Sequence, residues 1–331
     1  MNQRMKRVVF MGSAEFAVPS LEALVDAGYE VPLVVTRADK PKGRGLALSE
    51  TPVKRLALDR GLRVFQPVTL KPPEVQAVLR DAEPDLIVVA AYGRILPAEV
   101  LAIPPRLRSG HYGCVNVHAS LLPKYRGAAP IQWAIVNGEV ESGVTIMVMD
   151  EGMDTGPIAA RRAVAVSPDE TAQDLAARLA PLGAALLIET LPGLLDGSRT
   201  PMAQDESGAT LAPVIRKEHG RLDWAVRSED LVNRIRGLHP WPGAFTTLPS
   251  GVRLRVLPPA RVAAIEASGG RRPGEVLQIT REGMTVRSGD GSVLLQSVQP
   301  EGRRAMTPWE LVAGRRLARG DILGAPDGGL A

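Results

Sequence analysis

Three polar side chains are spaced so that they could carry out chemistry together: Asn116, His118 and Asp154. Asn116 and His118 lie two residues apart in the apolar stretch CVNVH, which predicts a short buried strand that enters a loop. Side chains two apart on a strand point to the same face, so these two should project together. Asp154 lies in the loop 150–156, directly after a second predicted strand at 144–149. Because ligand sites of open α/β sheets collect beyond the carboxyl ends of parallel strands, we expect the three side chains to meet in one crevice.

This trio suits the attack of an amine on a formyl or acyl carbon. The amide of Asn116 and the imidazole of His118 can both donate to the oxyanion that develops, and loss of one such donor typically costs about 3–4 kcal/mol. The carboxylate of Asp154 can hold the imidazole in its protonated form, and it can take the proton that the attacking amine sheds. Since the amine is itself the nucleophile, the reaction needs no serine or cysteine.

Each of these residues also has an ordinary structural explanation. An isolated histidine such as His118 is more often a hydrogen-bonded core residue, and Asp154 could simply cap a turn. Asp150 competes with Asp154 for the carboxylate role, since both follow the same predicted strand. Cys114 continues the strand face of the Asn–His pair, so a Cys–His nucleophile stays open. The occurrence of the three groups together favours the catalytic interpretation with Asp154.

The sequence around the trio resembles the 10-formyltetrahydrofolate-dependent formyltransferases. The residues that carry the resemblance are Asn116-Val-His118, Ser120-Leu-Leu-Pro123, Tyr125-Arg-Gly-Ala-Ala-Pro-Ile-Gln132 and Asp154-Thr-Gly156. The branch of the family that acts on tRNA is matched by RGAAPIQ, Lys42-Gly43-Arg44-Gly45 and Leu238-His-Pro-Trp-Pro242. The similarity covers nearly the whole chain, with no departure at the catalytic positions. It implies transfer of the formyl group of 10-formyltetrahydrofolate to the α-amine of methionine esterified to initiator tRNA.

The same resemblance implies a folate pocket close to the trio. It places Ser120, Leu121, Leu122 and Pro123 in that pocket. The residues Arg94, Ile95 and Leu96, which follow an apolar strand predicted at 85–91, would add an apolar wall and backbone partners for the flat pterin ring. The structural alternatives are a turn that ends a strand for the first group and an ordinary strand-end loop for the second.

A basic segment near the N-terminus points to the larger substrate. Residues 36–45, TRADKPKGRG, carry four cations within ten residues, together with two glycines and a proline. This composition describes a flexible basic loop, which could be merely solvated. The functional interpretation is that Lys40, Lys42 and Arg44 grip the acceptor end of tRNA. Contacts with phosphates would position the RNA and make binding strongly salt-dependent, and unstacked RNA ends are the parts that proteins read most readily.

The length and pattern of the chain indicate two domains. A chain of 331 residues is too long for one typical domain. In residues 1–195, strands and helices alternate, which predicts a doubly wound, Rossmann-like α/β sheet. The first turn, GSAEF, lacks the G-x-G-x-x-G spacing of dinucleotide sites, so a nicotinamide cofactor is not expected. Residues 196–212 are predicted to be a linker, since they are rich in turn residues.

Residues 213–331 show a different pattern. Their short apolar alternations, broken by Gly and Pro, predict a small antiparallel barrel. The resemblance implies an OB-like barrel that binds tRNA, and such barrels commonly bind nucleic acid. Residues 201–331 contain 18 Lys and Arg against 14 Asp and Glu, a net charge of +4, whereas residues 1–200 contain 22 of each. This surplus is modest and could be a solvated surface, because binding to phosphates depends on local clustering.

Several classes of protein are excluded or disfavoured by composition. One cysteine excludes a disulfide framework and a multi-cysteine metal site, and it fits a reducing, cytoplasmic setting. The four histidines show no ligand spacing, so no metal is expected. The apolar run at the N-terminus is too short for a secretory core, and no stretch approaches the roughly 20 apolar residues of a membrane span. We therefore expect a cytoplasmic monomer that does not use a membrane.

Two other functions fit part of the sequence. The catalytic core alone would suit a formyltransferase acting on glycinamide ribonucleotide or an amino sugar nucleotide, or a formyl-folate hydrolase. From a different class, the chain could be a nucleic-acid-binding module whose folate site has lost activity. The basic loop and the basic C-terminal part count against the first group, and the intact trio counts against the second.

Overall fold

The computed structural model describes residues 5–42, 47–263, 272–314 and 317–324. The chain divides into two compact units. The first unit comprises Met1–Pro130, Ser142–Val164 and Ala176–Ala212, and the second comprises Ile131–Glu141, Ala165–Leu175 and Pro213–Ala331.

The strands and helices follow one another along the chain in a largely alternating order up to α6. Up to the end of the predicted linker they are β1 (Arg7–Gly12), α1 (Val18–Asp26), β2 (Glu30–Val35), β3 (Lys40–Lys42), β4 (Ala47–Ser49), α2 (Pro52–Asp59), β5 (Val64–Phe65), α3 (Pro73–Asp81), β6 (Leu86–Ala90), α4 (Ala98–Leu101), β7 (Cys114–His118), β8 (Arg126–Gly127), α5 (Pro130–Val136), β9 (Glu141–Val148), β10 (Ile158–Ala165), α6 (Ala172–Asp196) and β11 (Leu211–Ala212). Beyond it they are α7 (Ser228–Gly237), β12 (Ala244–Thr247), β13 (Arg253–Val262), β14 (Val276–Thr280), β15 (Gly283–Arg287), β16 (Ser292–Pro300) and α8 (Pro308–Ala313).

A seven-stranded sheet forms the centre of the first unit, with strand order β10-β9-β7-β6-β1-β2-β5. The five neighbouring strands β7, β6, β1, β2 and β5 pair in parallel. This confirms the predicted mixed α/β fold with a mostly parallel, Rossmann-like sheet. β9 instead pairs antiparallel with β7, so that Val148 lies opposite Val115 and Thr145 lies opposite His118. The expectation that Asp154 follows a strand parallel to β7 is therefore wrong. The loop after β9 starts beside the amino end of β7 and has to fold back to reach His118.

Local sequence signals explain several element boundaries. β6 is buried at all of its positions, as expected for a parallel strand that is covered on both faces. α2 begins at Pro52, whose fixed φ suits the first helical position, after Thr51, whose hydroxyl accepts a hydrogen bond from the N–H of Lys54. α1 ends two residues before Gly28, which adopts a φ of 80° that favours glycine.

The longest helix, α6, packs against the central sheet. Leu179 and Leu187 are fully buried, and Gly183 allows a close approach, since a Cβ there would lie 2.8 Å from Val117 Cγ1. By length and composition alone α6 could cross a membrane, so the expectation that no stretch approaches a membrane span is wrong in that respect. Half of its most apolar stretch is buried inside the protein. Buried positions such as Leu179 and Leu187 account for much of its apolar composition.

The second unit contains a separate antiparallel sheet of five strands, in the order β12-β13-β16-β15-β14. Leu254 and Val256 of β13 form its core together with Leu231 of α7 and Leu311 of α8. The predicted antiparallel character of this part is therefore confirmed. Segments 131–141 and 165–175 belong to the same unit, where Arg236 of α7 donates to the carbonyl of Glu170 at 3.1 Å. Burial lowers the pKa of this guanidinium, which is 8% exposed.

The segment 196–212, predicted as a linker, makes many hydrogen bonds in the first unit. Met202 and Ile158 exchange backbone hydrogen bonds, and β11 pairs in parallel with β8. Contact with the first unit therefore extends to Ala212. The domain boundaries at 195 and 212 stay a prediction.

Candidate active site

The three predicted catalytic side chains lie together at one end of β7. Asn116 and His118 are on the strand itself, and Asp154 reaches them from the loop after β9. Asn116 Nδ2 lies 3.5 Å from Asp154 Oδ1, and His118 Nδ1 lies 3.7 Å from Asp154 Oδ2. The His118 side chain is 6% exposed and that of Asp154 is 18% exposed, so the carboxylate stands between a buried imidazole and solvent. A carboxamide, an imidazole and a carboxylate therefore share one site.

The hydrogen bond of the other imidazole nitrogen determines what His118 can do. His118 Nε2 lies 2.9 Å from the carbonyl oxygen of Tyr125. A carbonyl can only accept, so Nε2 carries a hydrogen. In the neutral ring, Nδ1 is then a lone pair that faces Asp154. Nδ1 can donate to Asp154 or to an oxyanion only when the ring is an imidazolium, and the Asp154 carboxylate is the counter-charge in that state.

Asp154 is held in an uncommon backbone conformation. Its φ is 57°, in the left-handed region that few residues other than glycine adopt. Its Oδ2 accepts the backbone N–H of Gly127 at 2.8 Å, and the remaining neighbours are the donors Asn116 and, when protonated, His118. An acceptor-only carboxylate matches these three donors.

Two residues that were not among the predicted site residues, Gln204 and Arg126, hold the backbone around Asp154. Gln204 Nε2 donates to the carbonyls of Asp154 and Gly156 at 2.8 and 2.7 Å. Arg126, 6% exposed, donates to Gln204 Oε1 and to the carboxylate of Glu206. The hydrogen bond with Glu206 is the main reason that the pKa of Arg126 lies above its ordinary value. Gln204 falls in the predicted linker, and no local pattern there distinguishes it.

Asp150 and Cys114, the two competing candidates, have other roles in the structure. Asp150 Oδ1 accepts from the N–H of Gly152 at 3.0 Å and from Thr155 Oγ1 at 2.8 Å, so its carboxylate shapes the loop. Cys114 is fully buried, its Sγ lies 3.6 Å from the carbonyl of Leu101, and burial raises the pKa of its thiol. A thiol that resists ionisation is a poor nucleophile. Among the residues that the structure describes, no group of three or more His, Cys, Asp or Glu side chains could hold a metal ion.

The segment Ser120–Pro123 is a hydrogen-bonded turn directly after β7. Ser120 Oγ donates to the carbonyl of Lys124 at 2.6 Å, and Ser120 O accepts from Thr145 Oγ1 at 2.6 Å. Leu122 is fully buried, and its N–H donates to Thr145 Oγ1 at 3.1 Å. The hydroxyl of Ser120 is thus committed within the protein. Leu121 and Pro123 are the partly exposed members of the segment.

The residues after β6 leave the sheet at the same edge as those after β7, since Ala90 pairs with Val117. The three predicted wall residues do not share one environment. Leu96 is 3% exposed and belongs to the apolar core, whereas Ile95 is 78% exposed. The guanidinium of Arg94 donates to the carbonyl of Val68. Ile95 is therefore the one of the three that presents an apolar side chain to solvent.

The predicted tRNA contacts lie largely outside what the structure describes. Arg44 is outside the described residues, and Lys40 and Lys42 are described only as backbone of β3, which pairs antiparallel with β4. The residue before β3 is firmly held: Asp39 accepts from Lys54 Nζ at 2.6 Å and from Gln66 Nε2 at 2.8 Å. The hydrogen bond from Lys54 is the main reason that the pKa of Asp39 is lowered.

Comparison with known proteins extends over nearly the whole chain. The formyl transferase family matches residues 5–191, and the C-terminal domain of formyl transferases matches residues 214–316. The methionyl-tRNA formyltransferase of Myxococcus xanthus is 49% identical over 314 residues, which are 95% of this chain and 96% of that protein. The methionyl-tRNA formyltransferase of Geobacter sulfurreducens is 46% identical over 318 residues, 96% of each chain.

Solved structures with the same fold have much lower sequence identity. WlaRD, a sugar 3N-formyl transferase crystallised with dTDP and 5-N-formyl-THF, has a TM-score of 0.65 at 18% identity and covers 91% of this chain and 100% of its own. HypX from Aquifex aeolicus in complex with tetrahydrofolic acid has a TM-score of 0.61 at 18% identity, covering 94% of this chain and 47% of its own. These two show the fold, and the family matches show the relationship. The chain belongs to the formyl transferase family.

Proposed function

We propose that this chain transfers the formyl group of 10-formyltetrahydrofolate to the α-amino group of the methionine carried by initiator tRNA. The observation that carries the proposal is the convergence of Asn116, His118 and Asp154 in one site. Similarity over almost the full length to proteins named methionyl-tRNA formyltransferase supports the choice of acceptor.

Asn116 and His118 stabilise the oxyanion that forms when the amine attacks the formyl carbon. Asn116 supplies an amide N–H, and His118, with Nε2–H held by the Tyr125 carbonyl, supplies Nδ1–H as an imidazolium. Both groups lie within 4 Å of Asp154, so a reacting carbon beside that carboxylate would be in reach of both donors. Donors that are already oriented stabilise developing charge without reorganisation.

Asp154 accepts the proton that the amine loses as the new carbon–nitrogen bond forms, directly or through one water molecule. His118 then gives its Nδ1 proton to the departing folate nitrogen as the old carbon–nitrogen bond breaks. Asp154 returns the amine proton to His118, which restores the starting state. One proton thus leaves the amine and one reaches the folate nitrogen. Asp154 Oδ2 and His118 Nδ1 lie 3.7 Å apart in the structure, so the two groups have to move closer for this last proton transfer.

The folate pocket in this proposal is formed by the two segments that leave the sheet at the same edge. Ser120, Leu121, Leu122 and Pro123 form one wall, and Arg94, Ile95 and Leu96 form the other. Because the Ser120 hydroxyl is bonded to Lys124, Ser120 would contribute backbone groups. The 78% exposed side chain of Ile95 would cover an apolar ring. Hydrogen-bonding backbone beside apolar side chains is the usual lining for a small, flat ligand.

The tRNA contacts in this proposal come from both units. Lys40, Lys42 and Arg44 bind the acceptor end, and the second unit, as an OB-like barrel, binds elsewhere on the RNA. The second unit has a cavity of about 360 Å³, lined among others by Lys217, Trp241, Arg253, Arg255 and Glu301. These residues carry more positive than negative charge, and the Trp241 ring is about half exposed. Basic side chains beside an exposed aromatic side chain are typical of protein surfaces that bind nucleic acid.

The proposed organisation follows the predicted boundaries, with a catalytic domain at 1–195, a connection at 196–212 and a tRNA-binding domain at 213–331. We propose that the protein acts as a monomer in the cytoplasm. The single, buried cysteine is consistent with a reducing compartment.

Formylation of charged initiator and elongator methionyl-tRNA tests the proposed function. With 10-formyltetrahydrofolate as donor, we expect the initiator to be formylated far faster than the elongator. Formyl transfer to glycinamide ribonucleotide or an amino sugar nucleotide, with none to tRNA, would reassign the acceptor. Hydrolysis of the donor without transfer would identify a hydrolase instead.

The role of the basic loop has its own test. Arg44→Ala should weaken the use of charged tRNA and reduce the salt dependence of tRNA binding by about one phosphate contact, while folate binding stays intact. Arg63→Ala is the matched control, because it removes one exposed arginine from the same unit. Equal turnover by Arg44→Ala and the parent at limiting tRNA would contradict the role of Arg44.

A further inference from the structure

The segment 196–212 does more than join two parts of the chain, because it reaches the back of the catalytic loop. The Gln204 amide donates through Nε2 to the carbonyl of Asp154 at 2.8 Å and to the carbonyl of Gly156 at 2.7 Å. These two carbonyls flank the turn in which Asp154 adopts its φ of 57°. A residue in a sparsely populated conformation persists only where its surroundings hold it there. The two hydrogen bonds from Gln204 help to hold the turn in this conformation.

The orientation of the Gln204 amide is fixed from its other end. Arg126 donates to Gln204 Oε1 through Nε at 3.1 Å and through Nη2 at 2.9 Å. A guanidinium has only donors, so Oε1 must face Arg126 and Nε2 must face the two carbonyls. Arg126 is 6% exposed, and its guanidinium also donates to Glu206 Oε2 and Oε1 at 2.9 and 2.8 Å. The guanidinium and the amide therefore fix each other's orientation.

The Arg126–Gln204 pair contacts both sides of the candidate active site. On one side, Gln204 holds the backbone of Asp154. On the other side, the sequence neighbours of Arg126 both contact the catalytic side chains. The carbonyl of Tyr125 accepts from His118 Nε2, and the N–H of Gly127 donates to Asp154 Oδ2. The Arg126–Gln204 pair thus links the backbone groups that orient the imidazole and the carboxylate.

We propose that Gln204 is a positioning residue for formyl transfer, which acts by holding Asp154 against His118 and Asn116. This inference rests on the proposed function. Gln204 does not touch the reacting atoms; its removal releases the turn around Asp154 and leaves the folate segments 94–96 and 120–123 unchanged. Small displacements of a catalytic group, on the order of 1 Å, can lower turnover about a hundredfold.

The chain offers a closely matched control for this test. Gln76 is 6% exposed, its Nε2 donates to the carbonyls of Leu70 and Lys71 at 3.4 and 3.0 Å, and its Oε1 accepts from Arg80 at 3.1 Å. Gln76→Ala therefore removes a similar set of hydrogen bonds in α3, outside the candidate site: two that the amide donates and one that it accepts from an arginine. Gln204→Ala removes two that the amide donates and two that it accepts from Arg126. Gln76→Ala reports the structural cost of losing a glutamine amide that bridges two carbonyls and an arginine; Gln76 is the more buried of the two.

The experiment compares steady-state formylation of methionyl-tRNA by the full chain and its Gln204→Ala and Gln76→Ala variants, well below their melting temperatures. We expect Gln204→Ala to lower kcat by about ten- to a hundredfold, with the KM for 10-formyltetrahydrofolate changed by less than about threefold. Gln76→Ala should lower the melting temperature to a similar extent and leave kcat near the parent value. Equal kcat values for the two variants would overturn the inference.

A double variant separates positioning from a general loss of stability. In the Asp154→Asn background, Gln204→Ala should lower kcat little further, because the group that it positions is already disabled. Independent, multiplicative effects of the two substitutions would also overturn the inference. Failure of the parent chain to formylate tRNA would instead reject the proposed function, so the two outcomes are distinguishable.

Discussion

Asp154→Asn is the substitution that probes the proposed chemistry most directly. The carboxylate accepts the Gly127 N–H at 2.8 Å, lies 3.5 Å from Asn116 Nδ2 and lies 3.7 Å from His118 Nδ1. The Gly127 N–H and the Asn116 amide are donors, and His118 Nδ1 is one when the ring is protonated, whereas an asparagine amide has a single acceptor atom. The new NH2 group must therefore face at least one donor, and the substituted side chain can neither take the amine proton nor return it to His118.

The size of the effect follows from the role of the carboxylate. A positioned acid–base group contributes about 10²–10⁴ in rate, so we expect kcat to fall by that factor, which raises the barrier by about 3–5.5 kcal/mol. The Gly127 N–H would also lose its charged acceptor, which should cost up to about 1.5–3 kcal/mol of stability. Folate affinity should stay within about threefold of the parent value, since a lost transition-state contact lowers kcat and leaves ground-state binding.

The assay is single-turnover formylation of methionyl-tRNA, with folate binding and melting temperature measured on the same samples. Asp150→Asn is the control, because it makes the same chemical change in the same loop, at a carboxylate bonded to Gly152 and Thr155. Turnover of Asp154→Asn within about tenfold of the parent would remove Asp154 from the proton relay, since general acid–base catalysis rarely contributes so little. Equal losses in the two variants would show that the loop as a whole, and not the carboxylate of Asp154, is needed.

Three further predictions follow from single features of the structure. Cys114→Ala should fold and keep near-parent turnover, because the thiol is fully buried with a raised pKa; near-complete loss of activity in a folded variant would restore a cysteine mechanism. The hydrogen-bonded ion pair with Lys54 lowers the pKa of Asp39, so this pair stabilises the fold above the ordinary Asp value of 3.8 and stops doing so as pH falls through the lowered pKa. The difference in melting temperature between the parent and Asp39→Asn should therefore shrink as pH falls below 3.8. A difference that stays constant with pH would contradict this. Gly156→Ala should lower the melting temperature strongly, because its Cβ would lie 1.9 Å from a backbone carbonyl oxygen, whereas Gly208→Ala, whose Cβ would meet a ring carbon at 3.4 Å, should be nearly neutral; similar melting temperatures for the two variants would show that the turn at Gly156 relaxes freely.

Most of the fold could be predicted from local patterns. The buried run of β6, the proline and threonine at the start of α2 and the glycine after α1 are local signals, and each fits the element beside which it lies. The direction of β9 could not be predicted in this way, because an apolar strand has the same pattern in parallel and antiparallel pairing when both faces are buried. The apolar character of α6 is similarly ambiguous until its packing against β7 is known.

By itself, the sequence determined which chemical groups could react: Asn116 and His118 share a strand face because of their spacing, and the motifs around them identify the family. Only the tertiary structure decided how those groups are oriented. The antiparallel β9 requires the loop to fold back to bring Asp154 to His118, and the carbonyl of Tyr125 fixes which nitrogen of His118 faces the carboxylate. Gln204, 50 residues from Asp154 along the chain, holds the loop in place. Hydrogen bonds between such distant segments depend on the folded backbone, and they leave no periodic or local pattern in the sequence.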